Sequence, residues 1–238
     1  MAWAGLPGAP ARPVGTPAAL LEAAVQGRPP ACEALYDRSA LFYDRTFRRW
    51  GYPSPGRAVE LLKLHAPGRG AGGARTERPV LDAGCGTGMV GEALRDAGFT
   101  SLVGIDISEV SLQQSARKGI YQSLHSVNLE CWDEPLPFAS GSFADVVCVG
   151  VLSYVRNFRR LFSEWCRVAA PGGLVVFSHR VELWDRDVDS VRSVAAALER
   201  QERSWEQCYV SPPEEYMPLS PEPEQREKRV RYLVYRIL

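Results

Sequence analysis

Residues 80–88 read Val80-Leu81-Asp82-Ala83-Gly84-Cys85-Gly86-Thr87-Gly88, a short apolar strand that runs into three alternating glycines. Apolar residues then recur at helical spacing, which predicts a helix over residues 89–97. Glycines between a strand and a helix let the backbone approach a ligand closely, because no Cβ stands in the way. The stretch therefore predicts a ligand-binding loop in an α/β fold, with a plain tight turn as the alternative.

The loop matches two kinds of nucleotide site. Residues 86–91 satisfy G-x-G-x-x-G, which places a pyrophosphate on a helix amino terminus in dinucleotide-binding proteins. Asp82 argues against that ligand, because a carboxylate repels pyrophosphate and attracts an ammonium group. Asp106 ends the next predicted strand, where it can accept both hydroxyls of a ribose, with a surface acid as the alternative. A ligand with an ammonium group and a ribose, but no pyrophosphate, points to S-adenosylmethionine.

Strand and helix patterns alternate outward from the loop. Helices are predicted over residues 55–65, 108–117, 158–165 and 188–198, and strands over 102–105, 121–129, 143–149 and 174–177. Two final strands, over residues 205–211 and 230–238, have no helix between them and should pair antiparallel. The pattern predicts one α/β domain over residues 31–238, with a doubly wound, Rossmann-like seven-stranded sheet that is mostly parallel and ends in an antiparallel C-terminal hairpin.

Composition narrows the setting of this domain. Residues 1–30 contain 18 Pro, Gly or Ala and are expected to form a flexible N-terminal segment. The chain carries 28 basic and 28 acidic side chains, so nucleic acid is an unlikely partner. No apolar run reaches the ~20 residues that span a bilayer. Six scattered cysteines and three distant histidines predict no disulfide framework and no metal site. We expect a cytoplasmic protein without membrane contact, and a monomer rather than an oligomer.

Four motifs, in order, resemble those of the class I S-adenosylmethionine-dependent methyltransferases. They are L-D-A-G-C-G-T-G at 81–88, G-I-D-I-S at 104–108, P-L-P-F-A-S-G-S-F-A-D-V-V at 135–147 and P-G-G at 171–173. Residues 36–44 are also similar to the Y-D-x-x-A-x-x-Y-D segment of that class. The resemblance implies S-adenosylmethionine as cofactor and methyl transfer as activity. The alternatives are a non-catalytic S-adenosylmethionine-binding regulator or partner protein and, among enzymes, a protein or RNA methyltransferase.

The resemblance also implies a set of cofactor-binding residues. Asp82 would hold the methionine ammonium group, Asp106 would bind the ribose, and Ile107 would pack on the adenine. An insertion after the third strand blurs the register, so Glu130 and Asp133 are alternative acceptors for the adenine amino group. The remaining implied positions are Gly84, Cys85, Gly86 and Gly88 in the loop, Trp132 over the base, Val149 and Gly150 beside the sulfonium, and Tyr36 in an amino-terminal lid.

Tyr43, Tyr154, His179 and Arg180 are predicted to face the methyl acceptor. Methyl transfer needs mainly alignment and exclusion of water, and a base only where the acceptor must lose a proton. His179 is a candidate for that base, with a satisfied core histidine as the alternative. Arg180 is a candidate clamp for an acidic group, unless it pairs with Glu182. Because the core fold needs nearly all of the ordered residues, we expect a small-molecule acceptor.

Overall fold

The computed structural model describes residues 43–66, 78–130, 134–184 and 189–238. The segment 1–30, Tyr36, Trp132 and Asp133 lie outside these ranges, so the expectations about them remain predictions. The same holds for the domain boundary at residue 31.

The described residues form one sheet with helices on both faces. The strands are β1 (Val80–Ala83), β2 (Leu102–Asp106), β3 (Ser123–Ser126), β4 (Asp145–Cys148), β5 (Leu174–Arg180), β6 (Trp205–Val210), β7 (Glu214–Glu215) and β8 (Arg229–Ile237). The helices are α1 (Ser54–His65), α2 (Met89–Asp96), α3 (Glu109–Arg117), α4 (Phe158–Val168), α5 (Val191–Arg200) and α6 (Pro223–Glu227). Residues 43–49 are also helical, and short 3-10 helices cover Leu152–Tyr154 and Val181–Leu183.

The strand order is β3-β2-β1-β4-β5-β8-β6, with β7 paired to β8. Strands β1 to β5 pair in parallel, and β8 lies antiparallel between β5 and β6. The predicted doubly wound sheet with an antiparallel C-terminal hairpin is therefore confirmed. The order reverses between β1 and β4, and open α/β sheets bind their ligands beyond the carboxyl ends of the strands at such a point.

The structure adds local detail that the pattern did not predict. β7 is an eighth strand of two residues beside the seven on the main path. Helix α6 lies in the tail where no helix was expected, since five residues carry no periodic signal, although Pro223 is pre-set for a first helical position. β3 ends at Ser126 rather than at Leu129, because the Asn128 side chain accepts the Glu130 N–H at 2.9 Å and turns the chain.

Apolar side chains join the helices to both faces of the sheet. On one face, α4 and α5 pack on β5, β6 and β8 through an aromatic group, namely Phe162, Trp165, Phe177, Trp205 and Tyr235. On the other face, Leu62 of α1 and Leu94 of α2 pack with Val176 and Tyr232. Ser108 caps α3 as predicted, because its side chain accepts the Ser111 N–H at 3.1 Å.

We predict that Trp205→Ala lowers the free energy of unfolding by about 3–5 kcal/mol. The buried indole stacks on Tyr235 at 4.2 Å and donates to the Ala195 carbonyl oxygen at 3.1 Å, so its loss leaves a cavity where β6 meets α5. Denaturant unfolding followed by circular dichroism measures the change. Leu64→Ala is the control, because that side chain is 67% exposed. Equal stability of the two variants would contradict the packing described here.

Candidate functional site

A cleft of about 810 Å³ opens beyond the carboxyl ends of β1, β2 and β4. It lies where the strand order reverses, as the doubly wound topology requires. Nine residues expected in the site line this cleft: Tyr43, Gly84, Gly86, Asp106, Ile107, Glu130, Val149, Gly150 and Tyr154.

The glycine loop is held from below and open toward the cleft. The N–H groups of Gly84 and Cys85 both donate to the Ile105 carbonyl oxygen, at 2.8 and 2.9 Å. Gly84 has φ +78°, and a Cβ there would stand 2.2 Å from a methyl group of Val151. At Gly86, by contrast, an added Cβ would meet nothing within 4 Å. The backbone at Gly86 therefore leaves room for a ligand.

Asp106 joins this loop to the second strand. One carboxylate oxygen accepts the Gly86 N–H at 2.8 Å, and the other accepts the Ser108 N–H at 2.9 Å. Asp106 also lines the cleft, so it is placed to accept hydroxyl groups of a ligand.

Three residues expected to bind the cofactor do not line the cleft: Asp82, Cys85 and Gly88. Burial raises the pKa of the Cys85 thiol, and Gly88 begins α2 with φ +92°. Asp82 is fully buried, and its Oδ2 accepts the Tyr121 hydroxyl at 2.6 Å. Its Oδ1 has no hydrogen-bond partner among the described residues. Burial raises the pKa of Asp82 to about 7, although the bond from Tyr121 opposes the shift.

The charge of the cleft distinguishes between the two kinds of ligand. Within the described part of the chain, its lining contains two acids, Asp106 and Glu130, and neither Lys nor Arg. A pyrophosphate would meet carboxylates there, whereas an ammonium group is attracted both to them and to Asp82. The open backbone at Gly86 and the acceptors of Asp106 fit the amino-acid end and the ribose of S-adenosylmethionine.

The far end of the cleft is formed after β3. Glu130 lines it, and its carboxylate accepts the backbone N–H groups of Arg156 and Asn157. Burial raises the pKa of Glu130, and those two bonds lower it. Glu130 therefore ties the segment before α4 to the cleft wall, a structural task that the sequence did not reveal.

A second pocket of about 400 Å³ adjoins the cleft and shares Gly150 and Tyr154 with it. Two of the residues expected near the acceptor, His179 and Arg180, line this pocket. Burial lowers the pKa of His179 to about 4, so its imidazole is neutral at neutral pH. Arg180 pairs with Glu182 at 2.5 Å, the alternative considered for it from the sequence. Tyr216, Gln225 and Lys228 complete the pocket opposite β5.

Comparisons with known proteins agree with this geometry. A family model for the methyltransferase domain matches residues 81–177. Human methyltransferase-like protein 27 is 34% identical over 187 residues, which cover 77% of this chain and 72% of that protein. The chain belongs to the class I S-adenosylmethionine-dependent methyltransferases. Its cofactor is S-adenosylmethionine, so the resemblance seen in the sequence is confirmed.

More distant relatives support the same family and fold. The ubiquinone biosynthesis O-methyltransferase of Thiobacillus denitrificans is 37% identical over 103 residues, 42% of this chain and 44% of that protein. An S-adenosylmethionine-dependent methyltransferase from Mesorhizobium loti superimposes with a TM-score of 0.55 at 18% identity, covering 74% of this chain and 96% of that one. Geranyl diphosphate C-methyltransferase from Streptomyces coelicolor A3(2) gives 0.55 at 15% identity, over 76% and 78% of the two chains. At these identities the structural likeness shows the fold alone.

In this methyltransferase, a network of charges joins residues 43–50 to the glycine loop. Asp44 accepts a hydrogen bond from Thr87 of the loop and pairs with Lys118 at 2.5 Å. Lys118 also pairs with Glu92 at 2.8 Å, and Glu92 pairs with Arg48 at 2.7 Å. Tyr43 of the same segment lines the cleft.

Sequence reasoning missed several residues that shape the methyltransferase site. Lys118 and Tyr121 lie just after α3, where no motif marks them. Lys228 lies in the mixed-charge tail, where a single lysine carries no signal. Lys118 and Tyr121 meet Asp44 and Asp82 across dozens of residues, and Lys228 shares its pocket with residues as distant in sequence as Gly150, so only the tertiary fold brings these groups together.

Two further kinds of feature are missing from the parts of the methyltransferase that the structure describes. No three side chains of His, Cys, Asp or Glu come together there as a metal site. None of the described helices has both the length and the apolar character needed to cross a membrane.

We predict that Asp82→Asn removes a pH-dependent loss of stability. The folded protein holds a proton on Asp82 up to pH about 7, whereas the unfolded chain releases it near the ordinary value of about 3.9. Stability falls with rising pH wherever the folded state binds more protons, so Asp82 destabilises the fold increasingly across this range. In thermal unfolding without cofactor, the stability of the variant relative to wild type should therefore increase progressively from about pH 4 to about pH 7.

The control is Asp96→Asn, because the Asp96 side chain is 72% exposed. A difference between Asp82→Asn and wild type that stays constant over this pH range would contradict the prediction.

Proposed function

We propose that this methyltransferase methylates a small molecule that carries an anionic group and binds in the second pocket. One observation carries the proposal: that pocket shares Gly150 and Tyr154 with the cofactor cleft and is lined by the cations Arg180 and Lys228. An acceptor bound there would lie next to the cleft and within reach of the transferable methyl group.

The charges of the pocket favour an anion. Arg180 is paired with Glu182, so this pair contributes no net charge. Lys228 is the second cation of the lining, and its Nζ donates to the buried Gln225 side chain at 3.2 Å. An ammonium group on a flexible stem recognises carboxylates and phosphates as a point charge. We therefore propose that Lys228 makes the main contact with the anion. Arg180, the clamp expected from the sequence, makes a secondary contact.

The residues of the cleft receive these proposed roles. Asp106 accepts the ribose hydroxyls, Ile107 packs on the adenine, and Glu130 lies at its amino group. The Asp82 carboxylate attracts the ammonium group from beneath the loop. The open backbone at Gly86 admits the amino-acid portion.

Catalysis in this arrangement depends on alignment. S-adenosylmethionine supplies a methyl group that is already electrophilic on its sulfonium. The protein orients the acceptor against it through Gly150 and Tyr154, which line both pockets. Tyr43 excludes water from the cleft. The neutral imidazole of His179 takes a proton where the acceptor must lose one.

We predict that Asp106→Ala weakens S-adenosylmethionine binding by about tenfold or more, because it removes the acceptor of the ribose hydroxyls and of the Gly86 N–H. Isothermal calorimetry measures the dissociation constant, and NAD should give no heat with the wild-type protein. Asp96→Ala is the matched control on an exposed aspartate. Unchanged affinity in Asp106→Ala would remove the assigned role.

We predict that Lys228→Ala reduces turnover of the true acceptor at least about tenfold while cofactor affinity stays unchanged. Labelled methyl groups transferred from S-adenosylmethionine into a cell extract, separated by size, identify the acceptor. Lys63→Ala is the control, because Lys63 is exposed on α1.

Two results would contradict this proposal. Label chiefly in protein or nucleic acid would contradict a small-molecule acceptor. Undiminished turnover in Lys228→Ala would contradict the assigned anion contact.

A further inference from the structure

Tyr121 reaches the buried Asp82 through a slot between glycines. Its hydroxyl donates to Asp82 Oδ2 at 2.6 Å. A Cβ at Gly91 would stand 2.2 Å from that hydroxyl oxygen, and a Cβ at Gly104 would stand 3.1 Å from the ring. Gly91 is the last glycine of the G-x-G-x-x-G pattern. In this fold its missing side chain makes room for a phenol.

We propose that Tyr121 is a positioning residue for the cofactor, because its hydrogen bond orients the Asp82 carboxylate beneath the glycine loop and favours its charged form. The inference rests on the proposed role of Asp82 toward the ammonium group. It extends that role to a side chain outside the cleft, which no motif of the sequence marks.

The surroundings of Asp82 make this one hydrogen bond important. Asp106 at the end of β2 raises the pKa of Asp82, and burial raises it further. The thiols of Cys85 in the loop and Cys148 in β4 are its other titratable neighbours. Only Tyr121 and the Gly91 N–H lower the Asp82 pKa, and no described Lys, Arg or His contributes to the shift. Because the bond from Tyr121 lowers the Asp82 pKa, removal of the phenol hydroxyl raises that pKa further and shifts Asp82 toward its uncharged form at neutral pH.

A charged Asp82 matters to a ligand with an ammonium group and not to one without. Binding of the cation favours the ionised carboxyl, so a variant in which Asp82 is protonated binds the cation less tightly. The difference in affinity between this variant and wild type shrinks at alkaline pH, where Asp82 is ionised in both proteins. A merely structural defect would weaken both kinds of ligand at every pH.

The test compares Tyr121→Phe with wild type by calorimetry, using S-adenosylmethionine and 5′-methylthioadenosine, which keeps the nucleoside but lacks the amino-acid end. We expect the dissociation constant for S-adenosylmethionine to rise about tenfold at neutral pH, and that for 5′-methylthioadenosine to change less than about twofold. The tenfold difference should narrow as the pH rises. Tyr235→Phe is the matched control, because this buried phenol donates to Gln207 at 3.2 Å on the edge of the sheet.

Two further variants keep the test decisive. Gly91→Ala places a Cβ where the hydroxyl lies, so it should show the same loss that is selective for S-adenosylmethionine. In an Asp82→Asn background, Tyr121→Phe should cause no additional loss.

Three results would overturn the proposal: an equal loss for both ligands, a loss independent of pH, or unchanged affinity for S-adenosylmethionine. Wild-type protein that binds neither ligand would instead contradict the cofactor assignments of the proposed function.

Discussion

The cofactor cleft depends on the hydrogen bonds that one carboxylate accepts. The glycine loop has few side chains with which to hold its own shape, and its backbone must stay open at Gly86. Asp106 supplies the missing support, because it accepts the N–H groups of Gly86 and Ser108 from two separate segments. The same carboxylate faces the cleft. The order of the loop and the proposed recognition of a ribose thus depend on the same side chain.

A second constraint comes from the contact between residues 43–50 and residues 216–219 beside the cleft. Phe47 and Trp50 bury themselves against Met217, and the Leu219 N–H donates to the Trp50 carbonyl oxygen at 3.0 Å. The ion pairs of Asp44 and Lys118 add little by comparison, since partly exposed pairs contribute about 0–1 kcal/mol each. Aromatic burial therefore supplies most of the energy that holds residues 43–50 in place.

The same contacts link the two pockets. Tyr43 lines the cofactor cleft and stacks on Phe47 at 3.9 Å, whereas Tyr216 lines the second pocket and packs on Tyr52 at 5.3 Å. One aromatic cluster therefore connects the cofactor cleft to the proposed acceptor pocket.

Sequence patterns predicted the parts of this protein that obey local rules. The alternation of elements predicted the sheet and its antiparallel end, and the glycine loop with Asp106 predicted the position of the cleft. The partners of Asp82 and Glu130 were not predictable in the same way, because each contact joins groups whose distance depends on the packed fold. The pairing of Arg180 with Glu182, only two residues away, could be considered from the sequence. Asp82 illustrates the limit: its position before the glycines indicated a nearby ammonium group, but not that the carboxylate lies beneath the loop.

A tyrosine suits the proposed role of Asp82 toward an ammonium group better than an arginine would. An Arg in the place of Tyr121 would hold the buried carboxylate ionised more firmly, but it would also cancel the negative field at the cleft. A phenol donates a hydrogen bond without bringing a positive charge, so the field of the carboxylate stays available to a cationic ligand. Under the proposed role of Asp82, the free protein carries a partly protonated acid, and binding of the cation would favour its ionised form. A carboxylate held by a phenol therefore keeps a negative charge available for the ammonium group, whereas an ion pair would have neutralised that charge.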